Sequence, residues 1–147
     1  MTRFLTLVVV GIAMASTLAA AESKRIHLTA EVVQQAFSND PPNPPQLGDW
    51  RVNNVKLLNK EGDRVGTGTS NCTIVSIPPR KILEQCLLTA IFEDGQIIFG
   101  GVAPAAAPGA RARFGIVGGT DDFHKAHGEV LIVLNLDGTI DVFIDLD

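Results

Sequence analysis

The feature that most constrains this chain is a two-residue rhythm near its end. In Thr139-Ile140-Asp141-Val142-Phe143-Ile144-Asp145-Leu146 every even position is aliphatic and the odd positions are mostly polar. Only an extended strand gathers such positions onto one face, because successive side chains there alternate sides. Asp137-Gly138 precedes it, and before that comes the β-rich run Glu129 to Leu136. An Asp-Gly between two such runs is a hairpin signal, since its turn needs residues that accept a positive φ.

The pattern repeats upstream. Leu83 to Phe92 and Gln96 to Val102 flank Glu93-Asp94-Gly95, and Trp50 to Leu58 and Arg64 to Ile77 flank Glu61-Gly62-Asp63. Arg111 to Val117 forms another run and Arg25 to Glu31 the first. About eight strands joined by tight turns are therefore predicted. Val32, Val33, Ala36 and Phe37 fit one face of a helical turn as well as they fit a strand. Eight antiparallel strands in a chain this short predict an all-β fold, an eight-stranded antiparallel β-barrel, because closure removes exposed sheet edges. Such a barrel encloses packed side chains or one small ligand. Leu87-Leu88, Ile97-Ile98-Phe99 and Val130 to Leu134 are apolar at consecutive positions, so on both faces. The outer face then needs cover, most simply another subunit.

Residues 1–21 read differently. Arg3 is followed by 18 uncharged residues to Glu22, ending in Ala19-Ala20-Ala21. A basic start, an apolar middle and a small-residue end describe a secretory signal. The rival is an uncleaved anchor, but Gly11, Ala13, Ala15, Ser16 and Thr17 dilute the apolar stretch. The expectation is a secreted or periplasmic protein whose mature part, residues 22–147, is one barrel domain with no stable membrane span after cleavage. The formal charge of −4, without a basic stripe, argues against nucleic acid as a partner.

Export brings the two cysteines into view. Cys72 and Cys86 are equidistant from Pro79, so a turn at Pro78-Pro79-Arg80 would set them opposite each other on paired strands. Opposed positions are close enough to bridge, and an oxidising compartment favours the bridge. Two buried free thiols are the alternative.

Ordered landmarks then carry a resemblance: Leu47-Gly48-Asp49; Arg64-Val65-Gly66 ahead of Cys72-Thr73-Ile74-Val75; Asp94-Gly95-Gln96-Ile97 with Gly100; and Gly118-Gly119-Thr120-x-x-Phe123-x-x-Ala126-x-Gly128-x-Val130. Together they resemble the allene oxide cyclase and dirigent protein superfamily. The resemblance implies an eight-stranded barrel, dimeric or trimeric, whose interior takes a hydrophobic small-molecule ligand. It also implies cofactor-free work, in which the barrel holds a reactive chain in one shape and excludes water. The family's pocket cysteine falls on Cys72, its pocket asparagine on Val55, and its first-strand glutamate with a following proline corresponds loosely to Glu31 and Pro41. The family's tyrosine has no counterpart, because the chain contains none. The plant cyclase reaction itself is therefore not expected, for fold transfers further than chemistry.

Polar residues in or near strands are the candidates for facing a ligand: Glu31, Asn53, Asn54, Glu84, Arg111 and Arg113. Glu31 and Arg113 are taken as the catalytic pair, and Asn53, Cys72, Phe99 and Arg111 as ligand-binding residues. The loop 103–110, small and apolar, would cover one barrel mouth. Asp121-Asp122 with His124-Lys125-Ala126-His127 lacks the context that makes such spacing a metal site, so no metal and no cofactor are expected. Gly66-Thr67-Gly68-Thr69 lacks the following helix that a phosphate loop requires. Three readings compete: a templating cyclase, a non-catalytic carrier or sensor, and a structural barrel. A continuous cavity with a buried Glu or Arg favours the first, an apolar cavity the second, and a lumen plugged by Phe92, Phe99 and Phe114 the third.

Overall fold

A computed structural model describes residues 24–39 and 43–147. The predicted signal segment, residues 1–21, lies outside them. The described chain forms eight strands: β1 (Lys24–Phe37), β2 (Trp50–Leu58), β3 (Arg64–Ser76), β4 (Leu83–Phe92), β5 (Gly95–Pro104), β6 (Arg111–Gly119), β7 (Gly128–Leu134) and β8 (Ile140–Leu146), with a 3-10 turn at Asp121–Phe123. Each strand pairs antiparallel with its chain neighbours, and β8 returns to β1, so the sheet closes into a barrel. The helical alternative for residues 32–37 is corrected: they continue β1 to Phe37, with a register shift between Val32 and Gln34. That bulge explains why their apolar spacing does not alternate, since an inserted residue reverses the parity that follows it.

The barrel has a filled end and an open end. At the filled end Ile97, Val130 and Ile144 are completely buried. Phe92 packs on Phe123 there, with ring centroids 5.6 Å apart. The inward residues of this half are aliphatic or aromatic, so their burial supplies much of the fold's hydrophobic stabilisation. The open end is ringed by the C-terminal ends of β1, β3, β5 and β7, with the loop after β5.

Closure depends on the β1–β8 seam, where outward side chains pair across the strands. Arg25 forms an ion pair with Asp145, and His27 Nε2 donates to Asp141 Oδ1 at 3.0 Å while its ring stacks on Phe143. Asn135 Nδ2 adds a bond to Asp141 Oδ2 at 2.8 Å. The bonds from Asn135 and then His27 hold the Asp141 carboxyl below its ordinary value of 3.8. The Arg25 hydrogen bond does the same to Asp145. A carboxyl lowered in the folded state adds stability above its unfolded pKa and loses it as pH falls through the folded one. The melting temperature should therefore drop as pH falls below about 4, in the ordinary carboxylate range. In Asp141→Asn/Asp145→Asn that drop should be shallower, as read by thermal melts from pH 6 to pH 2.

Candidate functional site

Alternation decides which side chains see the lumen. Leu57 and Val55 face inward on β2, so Asn53 and Arg51 do too; Ala90, Leu88 and Cys86 face inward on β4, so Glu84 follows. These residues line a cavity of about 240 Å³ at the open end. Its apolar wall includes Leu88, Phe99, Phe114, Ala112, Ile132 and Val142. Phe99 and Phe114 face each other at 6.3 Å and line the space rather than plug it. Ala103, Pro104, Ala106 and Ala110 reach the same space, so the loop after β5 forms part of the mouth.

One wall is polar. Arg51 Nη2 donates to Glu84 Oε2 at 2.8 Å, with side chains 20% and 12% exposed. Glu84 is the one buried polar or charged residue among those described. Beside the pair, Asn53 accepts from Gln35 Nε2 at 2.7 Å and donates to Ser70 Oγ at 2.9 Å. Cys72 and Cys86, opposed in the β3–β4 register, form a disulfide that lines the lumen. Their sulfurs and a Glu84 carboxylate oxygen lie within 4.8 Å of one another.

The expected site residues divide by parity. Asn53, Cys72 and Phe99 line the cavity. Glu31 does not: it is exposed on the outer face, 3.5 Å from Lys56 Nζ. Arg113 is also outside, bound to Glu129 at 3.2 Å, and Arg111 is exposed on the same face of β6. Their placement on the lumen is corrected, because the inward positions of β1 and β6 are Leu28 and Ala30, and Ala112 and Phe114. Asn54 likewise bonds Gln34 on the exposed side. Arg51, Gln35 and Ser70 line the cavity without being among the expected site residues. The signal that finds Arg51 is its even spacing from Val55 and Leu57.

Elsewhere the motifs resolve as local structure. His124 Nδ1 contacts the Asp121 carbonyl at 2.8 Å and His127 Nδ1 that of Lys125 at 2.9 Å, so each ring is tied to its own turn. Gly66 to Thr69 lie inside β3, opposite β2 and β4.

Residues 25–146 match the family described as allene oxide cyclase barrel like domain. The chain belongs to that family. No curated protein matches the sequence. Among the solved structures that share the fold of this allene oxide cyclase-like barrel are three with related or contrasting names. "Pyocyanin demethylase" superposes with a TM-score of 0.70 at 21% identity, covering 81% of this chain and 98% of that one. The Diels–Alderase AbmU from Streptomyces koyangensis gives 0.69 at 17%, covering 85% and 63%. AbnU, an exo-specific intermolecular Diels–Alderase, gives 0.70 at 15%, covering 86% and 98%. At these identities the likeness is one of fold. Within the allene oxide cyclase-like barrel, the positions equated with the family's pocket asparagine and cysteine, Val55 and Cys72, do line the lumen, one as an aliphatic side chain and the other as half of a disulfide.

Proposed function

We propose that this protein is an exported, cofactor-free barrel that binds a hydrophobic, reactive small molecule and directs its cyclisation or stereochemistry. The observation that carries the reading is the open-ended apolar lumen with one ion pair, Arg51–Glu84, set into its wall. A chain held there in one folded shape reacts without the entropic cost of finding that shape in water, an advantage of several kcal/mol. The ion pair costs desolvation to keep in the wall, and a purely apolar carrier lumen would lack it. The Diels–Alderase names among the structural neighbours support the same class of chemistry.

Two further elements belong to this reading. The disulfide accords with an oxidising compartment and so with export. Leu87, Val102 and Val117 are 56%, 54% and 65% exposed on the outer face of β4, β5 and β6, a surface suited to a second or third copy.

Native mass spectrometry on protein from its own host tests the bound ligand and the oligomer together. A retained small molecule and a dimeric or trimeric mass are expected. Ala112→Phe, which pushes a ring into the cavity, should reduce retention by more than about tenfold, because the ligand's buried apolar contact is lost. Gln85→Ala, on the outside, should not change it. Equal retention by Ala112→Phe would overturn the lumen as the binding site, and a monomeric mass would remove the oligomer.

A further inference from the structure

The polar wall specifies what kind of molecule the lumen takes, an inference that rests on the lumen being the ligand site. An arginine side chain carries five N–H donors, and a guanidinium away from water needs acceptors for them. Arg51 places one on Glu84. Its Nε–H is buried and has no acceptor among the described residues, the one such side-chain atom found there. That atom is closed to solvent, but Arg51 itself lines the lumen with its side chain 20% exposed, so the guanidinium donors that reach the cavity favour an oxygen brought by a ligand.

The charge of that oxygen follows from Glu84. With its carboxylate 2.8 Å from the guanidinium, the arginine's charge is already balanced. A second carboxylate beside Arg51 would also stand beside Glu84, and like charges in a poorly solvated wall repel strongly. A carbonyl oxygen accepts the same hydrogen bond without that repulsion. We infer that Arg51 is the specificity-determining donor of the lumen, and that the ligand is an uncharged apolar molecule bearing a carbonyl oxygen rather than an amphiphile with a free carboxylate. Glu84 is a positioning residue: it orients the guanidinium and excludes anions.

Three probes of one shape test this by titration calorimetry on the full-length barrel: 2-acetylnaphthalene, 2-ethylnaphthalene and 2-naphthoate. The ketone should bind about tenfold tighter than the hydrocarbon, and the carboxylate weakest of the three. Glu84→Gln, which frees the arginine's charge, should reverse the order of ketone and carboxylate. Arg51→Met/Glu84→Leu, which removes both charges and leaves neither partner stranded, should erase the difference between ketone and hydrocarbon. The double variant decides the matter alone if the single one does not fold. Carboxylate binding tightest to the unaltered protein, or a ketone advantage that survives in the double variant, overturns the inference while leaving the lumen a ligand site. Failure of all three probes overturns the ligand-site reading itself.

Discussion

Replacing Cys72 and Cys86 together by alanine is expected to lower the unfolding free energy by about 3 kcal/mol, the chain-entropy value for a closed loop of about 15 residues. The two residues are 14 apart in sequence, and the bridge ties β3 to β4 across the hairpin between them. Both sulfurs are buried in the lumen wall, so the substitution also removes packed atoms and adds a cavity cost in the same direction. For a domain of this size the melting temperature should fall by about 10 °C. A reducing agent should bring the unaltered protein down by a comparable amount and leave the variant where it is. An unchanged melting temperature in the double alanine variant would show that the cross-strand contacts hold the hairpin without the bond. Because the sulfurs line the cavity, the variant should also alter ligand retention, which native mass spectrometry reads separately from stability.

The second large effect concerns two adjacent glycines that look alike in sequence. A Cβ built on Gly119 would run into the carbonyl oxygen of Phe123 and lie 2.6 Å from that of Gln96. These are backbone atoms of the turn after β6 and of β5, and they cannot rotate away as a side chain can. A Cβ on Gly118 meets nothing within 4 Å. Gly119→Ala should therefore destabilise by about 3 kcal/mol or more, in the long tail of point-substitution effects, whereas Gly118→Ala should stay within about 0.5 kcal/mol of the parent. Chemical denaturation of the two variants side by side makes the comparison, and equal midpoints would refute it. Gly128 belongs with Gly119: its φ is +128° and a Cβ there would strike the Asp145 carbonyl oxygen. Asp121, the residue after Thr120, adopts a left-handed φ of 51°, a conformation an aspartate tolerates less readily than a glycine.

Much of the fold was legible in residue order. The bounds of β2 and β4 coincide with the runs Trp50 to Leu58 and Leu83 to Phe92, because Gly48-Asp49 and Gly62-Asp63 close the first and Pro78-Pro79 and Asp94-Gly95 the second. The cysteine pairing followed from symmetry about Pro79, since antiparallel partners in a hairpin lie equally far from its turn. β1 runs past Glu31, where its legible run ends for a local reason: the bulge before Gln34 breaks the alternation that marks a strand. The site was less legible. Arg113 and Arg51 are both arginines near the start of a strand among aliphatic neighbours, yet one bonds Glu129 in solvent and the other Glu84 in the lumen. Glu31 and Glu84 divide in the same way.

What the residue order determined by itself is the kind of wall: eight alternating strands, their turns, and the two cysteines able to bridge. Local preferences suffice for these, since alternation, turn chemistry and hairpin symmetry act over a few residues. Only the tertiary structure decided which face of each strand is the inside. Several strands are apolar on both faces, so hydrophobicity does not choose between them. The choice comes from closure: once β8 pairs with β1, one face of every strand points at the axis, and that face places Arg51 and Glu84 together across β3, 33 positions apart in the chain.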